Sequence, residues 1–376
     1  GSCPVTGKST VLIILNLYYI LSVSTQLERL LDMHSVIYWF DELGKEHNAI
    51  VGKKCANLGE MVRMGLAVPP GFAIPIDMYR QFIKETGAEA EMSSYIRGFD
   101  GVKGAGIQVF EEMSAHLRSL IEEKEMLPSA RQGIASYYAE LCHKTGTENV
   151  AVSVRSAGTE SRPGMFETYL NVRGIEELLA KIKKVWASAF TPRAIAFRAN
   201  RELPILGDEL GVAVPKMVNA RAAGIAFTVN PVDGDASKIT IEANWGLGEG
   251  VVSGVESVDT FQVDKNTLEI AAKHTGNKMR GVFYTETGAD WFDVPAEKRG
   301  IPCILDEEAV EIARVAKSVE ETLKSPQDME WAVDQDIDFP QNIFWVQTRP
   351  AKVAAKKVDS AANHIADLMA KKFRGF

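Results

Sequence analysis

Two alternating segments close the globular part of the chain and constrain it most: DMEWAVD (Asp328 to Asp334) and FWVQTRP (Phe344 to Pro350). Side chains two apart on a strand share a face. Asp328 therefore lies beside Glu330, and Gln347 beside Arg349. If the strands pair, one face offers two carboxylates, an amide oxygen and a guanidinium. Hard cations such as Mg²⁺ take oxygen ligands and share them with substrate phosphates. Arginine adds a planar fork for a phosphate oxygen. A solvated strand face with surface ion pairs gives the same alternation. It leaves unexplained why Gln347 and Arg349 end a strand flanked by Phe344, Trp345 and Pro350.

The chain has 376 residues, enough for two or three lobes around a sizeable core. Its net charge of −8 and lack of a long Lys/Arg run argue against a general nucleic-acid binder. The 4 cysteines, Cys3, Cys55, Cys142 and Cys303, form neither a C-x-x-C pair nor a zinc framework. A reducing, cytoplasmic setting is expected. The opening GSCPVTGKST only imitates a phosphate loop: five residues separate Gly1 from Gly7 where four are required, and no strand precedes it. It reads as a tag remnant and lead-in. The 13-residue apolar run VLIILNLYYILSV (11–23) is too short to span a bilayer, and no membrane association is expected.

Four parts are expected: an extension at 1–36 outside the fold, N-terminal lobes with a phosphate loop at 37–210, a C-terminal lobe with a hinge and a metal cluster at 211–350, and a tail at 351–376 that forms a partner-docking helix. Ile37 to Phe40 suggest a first strand. KCANLGEMVRMG reads as a short helix stopped by Gly65, and residues 76–146 read as mostly helical. IEELLAKIKKVWASAF places Ile175, Leu178, Leu179, Ile182, Val185, Trp186 and Ala189 on one core-facing side. Beyond residue 211 the pattern turns strand-rich (GVAVPKMV, AGIAFTV, KITIEAN, DTFQVD), with one further helix at Asp306 to Leu323.

Two further stretches carry possible chemistry. In SVRSAGTESRPGMFETYLNV, Arg155 closes a buried strand and faces a loop with Gly158, Thr159, Gly164 and Thr168. Such a loop offers N–H and hydroxyl donors to a polyphosphate, or is an ordinary turn. In VGKKCANLGEM, Lys54 starts a helix, where the dipole favours anions; it meets a phosphate there or is a solvated lysine. The glycine-rich NWGLGEGVVSG lacks the strand-to-helix G-x-G-x-x-G of a dinucleotide site.

Together these motifs, with VWASAFTPRAIAFR and AGIAFTVNPVDGD between them, occur in the order found in one family. Over about residues 37–350 the chain resembles the ATP-grasp, nucleotide-binding domain of phosphoenolpyruvate synthase and pyruvate phosphate dikinase. The resemblance implies an α+β ATP-grasp fold with mixed sheets and flanking helices, ATP as substrate, and Mg²⁺, or Mn²⁺ in its place, as cofactor. It implies that Lys54 and Arg155 contact phosphates and that Gly164 and Thr168 form the phosphate loop. The hinge from Pro215, with Lys216, Met217 and Val218, lies against adenine. Asp328, Glu330, Gln347 and Arg349 form the metal and triphosphate cluster, with Glu330 and Gln347 as metal ligands; Lys54, Arg155 and Arg349 act as the catalytic cations. Three departures stand out. Lys53 and Cys55 replace glycines flanking the lysine, Pro215 replaces a common glutamine, and the phosphate loop is the short form.

Members of the family relay phosphate through a histidine on a swivelling domain. None of the six histidines here (His34, His47, His116, His143, His274, His364) stands in a T-S-H or T-C-H context. That histidine is therefore expected on a separate subunit, which also holds the acceptor site. A lone chain of this kind resembles the ATP-binding subunit of phenylphosphate synthase, which implies phenol as acceptor with AMP and phosphate as products. A split phosphoenolpyruvate synthase and a stand-alone small-molecule kinase are the alternatives.

Overall fold

The computed structural model of the chain describes residues 36–351, apart from 100–103, 161, 163, 232, 253, 255 and 256. The phosphate-loop-like opening, the apolar run 11–23 and the expected tail helix lie outside the described residues. The described residues divide into two compact units: 36–218 with Tyr284–Asp290, and Asn219–Phe283 with 291–351.

The first unit carries a five-stranded antiparallel sheet of β1 (Tyr38–Trp39), β2 (Gly71–Ile74), β3 (Val152–Ala157), β4 (Thr168–Val172) and β5 (Gly211–Pro215), in the order β1-β2-β5-β3-β4. The expected first strand is only two residues long, because Phe40–Glu42 turn into a 3₁₀ helix. Because β5 pairs with both β2 and β3, the division into units falls after Val218 rather than at 210/211.

Among the described residues eight helices accompany this sheet, α1 (Asn48–Val51), α2 (Lys53–Arg63), α3 (Ile76–Glu85), α4 (Ala88–Arg97), α5 (Ile107–Glu122), α6 (Pro128–Thr145), α7 (Ile175–Ala187) and α8 (Pro192–Asn200); α1, α2, α3 and α7 pack on its strands and the others pack on helices. In α7, Leu178, Leu179, Ile182, Val185 and Trp186 are buried at helical spacing. Each such side chain contributes about 1.5–3 kcal/mol of burial. Trp186 meets Tyr79 and Phe82 of α3, with ring centroids 5.8 and 5.2 Å away. Truncating it would cost about 3–5 kcal/mol.

The second unit is built on a six-stranded antiparallel sheet of β6 (Ala220–Phe227), β7 (Lys238–Trp245), β8 (Asp259–Asp264), β9 (Ile270–His274), β12 (Gln327–Asp334) and β13 (Ile343–Pro350), ordered β13-β12-β6-β7-β8-β9. A separate hairpin joins β10 (Arg280–Thr285) and β11 (Gly288–Asp293). Two one-turn helices, α9 (Glu249–Val252) and α10 (Ala296–Arg299), precede α11 (Asp306–Leu323).

One sheet face buries Ile241, Ala243, Phe261, Val263, Met329 and Trp331, and α11 packs there through Ala309, Ile312, Ala313, Ala316 and Val319. Gly224 is required by this packing, since a Cβ would lie 2.7 Å from the Trp331 ring. Glu308 caps α11 by accepting from the Leu305 N–H at 2.8 Å, and its buried carboxylate also takes Arg221 at 2.6 and 2.7 Å. A buried ion pair, Lys278 to Asp259 at 2.5 Å, pins the loop before β10. Asp259 also accepts the N–H of Gly276 at 3.0 Å and of Cys303 at 2.7 Å. His274 sits exposed on β9, opposite Thr260. No helix of the described residues is long and apolar enough to cross a membrane.

Candidate functional site

In the second unit the two closing strands pair in the register that the alternation requires. Asp328 stands opposite Arg349 and Glu330 opposite Gln347. Arg349 donates through Nε to Asp328 Oδ2 at 2.6 Å, with Nη2 at 2.5 Å from the same oxygen. Gln347 Nε2 donates to Glu330 Oε1 at 2.8 Å. A bulge follows Glu330, so Trp345 rather than Val346 opposes Trp331. The bulge lets the apolar Trp331–Trp345 pair and the polar pairs coexist on the same two strands.

A third acid joins this face. β12 pairs with β6, and β6 with β7, so that Glu330, Ile225 and Glu242 form one row and Asp328, Phe227 and Thr240 the next. Burial raises the proton affinity of Glu242, and the Asp328 charge adds to the rise. Burial also pushes Asp328 up, opposed by Arg349 and reinforced by Glu330. Asp328 is 7% exposed, and its Oδ1 is buried without a hydrogen-bond partner. Thr240, 8% exposed, has a hydroxyl in the same condition.

Among the described residues no three His, Cys, Asp or Glu side chains converge to hold a metal by themselves. Glu330 and Gln347 supply one carboxylate and one amide oxygen, and Asp328 Oδ1 is a buried oxygen still to be satisfied. This all-oxygen, two-ligand set suits Mg²⁺, which takes few protein ligands and completes its shell with waters and phosphates.

In the first unit Lys54 is the second residue of α2 and Arg155 lies on β3 opposite Thr168 of β4. The start of α2 is pressed against the end of β3. Gly52 adopts φ +81°, a Cβ there would lie 2.0 Å from the Ala157 carbonyl oxygen, and the Lys53 N–H donates to Gly158 O at 2.8 Å. Cys55 is wholly buried beneath this junction. Burial raises its thiol pKa to about 12, and the nearby charges of Lys54 and Arg155 pull against the rise. Both cations thus act on the one buried thiol beneath the helix entry. The replacement of flanking glycine by Cys55 is absorbed by turning the thiol inward.

Gly164, at φ +66°, lies exposed in the loop between β3 and β4, and its carbonyl accepts from Arg193 Nη1 of α8 at 2.8 Å. Glu167, next to Thr168, takes the Arg118 fork of α5 at 2.6 and 3.0 Å and the Tyr169 hydroxyl. Arg162 grips Asp208 at 2.6 and 2.7 Å. These anchors were not singled out by the sequence, because their partners are 46 to 49 residues away. Glu242 had a readable signal: in KITIEAN it alternates with Ile239 and Ile241, as Glu330 does with its apolar neighbours.

Along the hinge segment, the Lys216 N–H donates to Pro70 O and the Met217 N–H to Ala151 O, both at 2.8 Å. Val218 O accepts the Tyr284 hydroxyl. Pro215 ends β5 opposite Gly71, where a side chain would clash at 2.4 Å with Val214 O. The missing N–H of Pro215 thus falls at a strand end, where proline is tolerated. Lys54, Arg155, Gly164, Thr168 and Lys216 to Val218 belong to the first unit, and Asp328, Glu330, Gln347 and Arg349 to the second.

Residues 48–369 match the family model described as the pyruvate phosphate dikinase, AMP/ATP-binding domain. The phosphoenolpyruvate synthase of Aeropyrum pernix is 36% identical over 357 residues, covering 87% of this chain and 43% of that protein. A probable phosphoenolpyruvate synthase of Methanocaldococcus jannaschii is 38% identical over 332 residues, covering 86% and 27%. The phosphoenolpyruvate synthase of Pyrococcus furiosus is 33% identical over 356 residues, covering 84% and 43%. The chain spans less than half the length of these relatives.

Proposed function

The chain belongs to the pyruvate phosphate dikinase AMP/ATP-binding domain family, an ATP-grasp family of ATP-dependent dikinases, and we propose that it is the module that binds Mg·ATP and delivers a phosphoryl group to a histidine outside residues 36–351. The observation that carries this reading is the cross-strand ladder Asp328–Arg349 and Glu330–Gln347. In it a guanidinium is held by one carboxylate while a second carboxylate and an amide stand beside it. Glu330 and Gln347 would hold Mg²⁺, which would offset the charge of the phosphates. Arg349, kept in place by Asp328, meets a phosphate oxygen. Lys54 and Arg155 stabilise the charge that develops on the transferring group, while Gly164 and Thr168 wrap the phosphates. The segment Lys216 to Val218 lies along the adenine. Phosphoryl transfer depends on positioning and electrostatics, which is what this set of groups supplies.

For the final acceptor, the relatives favour the phosphoenolpyruvate synthase type, with pyruvate as acceptor, over phenol. None of the relatives named above is a phenylphosphate synthase. The phosphohistidine domain is supplied by the rest of a longer polypeptide or by a partner subunit.

The test supplies the purified chain with Mg·ATP labelled at the β or the γ position and the phosphohistidine domain of a phosphoenolpyruvate synthase. The expected result is AMP and phosphate, with base-stable label on the added domain from β-labelled ATP alone. That label should be discharged by pyruvate once the substrate domain is present, and not by phenol. Release of ADP with transfer of the γ-phosphoryl group to a small molecule, and no label on the domain, would replace this reading with a stand-alone kinase.

A further inference from the structure

We propose that Glu242 strengthens the preference of this sheet face for metal-bound over metal-free nucleotide, acting as a repulsive charge and not as a metal ligand; this rests on the Mg·ATP reading above. Around Glu242 the polar face holds Asp328, Glu330 and Glu242 against the guanidinium of Arg349, while Lys238, farther along the same face of β7, stands opposite Asp264. Asp328 is charge-matched by Arg349 and Glu330 is bonded to the Gln347 amide. Among the described residues Glu242 has neither an ion pair nor a hydrogen bond to its carboxylate. It lies two strand spacings, about 10 Å along the sheet, from Glu330. The buried, unpartnered oxygens of Thr240 and Asp328 on the same face mark it as built to receive a ligand rather than to pack against apolar side chains.

A face of this charge repels a bare triphosphate. It favours a nucleotide that carries a divalent cation over the bare triphosphate, and Glu242 adds repulsion without contributing a ligand. Its neutralisation removes one unmatched negative charge, an effect of about tenfold on metal-free affinity, equivalent to about 1.4 kcal/mol.

The experiment measures ATP binding to the whole chain by calorimetry, in EDTA and in excess Mg²⁺, for wild type, Glu242→Gln and Glu242→Asn. Glu311→Gln, on the α11 side of the sheet, serves as a charge control. Both Glu242 variants should bind metal-free ATP about tenfold tighter, with Mg·ATP affinity within about threefold of wild type and the control unchanged. An unchanged ratio of the two affinities, or equal weakening of both, overturns the proposal. Two variants of different length guard against a folding defect in one. Wild type that binds no ATP under either condition would instead refute the Mg·ATP reading itself.

Discussion

The loop presenting Gly164 and Thr168 is expected to loosen when the Arg118–Glu167 pair is cut. Along β4 successive side chains alternate, so Glu167 turns toward α5 when Thr168 turns outward beside Arg155. Arg118 holds both Glu167 oxygens at 2.6 and 3.0 Å, and the two side chains are 24% and 32% exposed. Hydrogen bonds between charged groups contribute about 1.5–3 kcal/mol when sheltered, and this exposure discounts them to about 1–2 kcal/mol. Arg118→Met should therefore make local opening of the loop about 5–30-fold more frequent. Hydrogen exchange of the peptide covering residues 164–172 reads that directly. Glu167→Gln should give a similar acceleration, and the double variant should fall well short of the product of the two. Phosphoryl transfer should fall through kcat more than through KM for ATP, with partial recovery in Arg118→Lys. Unchanged exchange at 164–172, or equal acceleration across α7, would refute the argument that this pair positions the loop.

Glu330→Ala should lower phosphoryl transfer by two to three orders of magnitude, roughly 3–4 kcal/mol in the barrier, as read by AMP release. Glu242 has a folded-state proton affinity above its unfolded value, so its contribution to stability is complete below about pH 4 and is lost as pH rises through the folded pKa. Glu242→Gln should accordingly melt higher than wild type at pH 7 to 8, with the advantage gone near pH 4, in thermal scans across that range; Asp328, Glu330 and Arg349 are the charged neighbours on this face. Asp259→Asn strips the countercharge from the buried Lys278 and should cost about 3–5 kcal/mol, seen as a lowered melting transition, whereas Asp259→Leu combined with Lys278→Met should cost less.

The sequence made the polar side of the closing strands legible because a period of two puts Asp328 beside Glu330 and Gln347 beside Arg349, whereas the bulge that sets Trp331 opposite Trp345 breaks that alternation and leaves no sign in it. It made α7 and α11 legible because their apolar residues repeat at helical spacing, and α11 spans Asp306 to Leu323 as expected. The hidden parts are those that depend on long-range closure. Nothing local in GLAVPPGFAI or GVAVPKMV says that β2 and β5 pair, placing residues 211–218 in the first unit. Nothing in GMFET names Arg118 as the partner of Glu167. The close approach of Gly52 to Ala157, which presses the start of α2 against the end of β3, is predicted by no spacing in the chain.

The central claim is that this chain binds Mg·ATP through its Glu330–Gln347 ladder and its Lys54–Arg155 cations. The most direct measurement is a calorimetric titration of the whole chain with Mg·ATP, for wild type, Glu330→Ala and Arg155→Ala. The account predicts one ATP per chain for wild type and affinity weakened at least tenfold in each variant. Wild-type affinity retained in both variants, or no binding by the wild type, would contradict it.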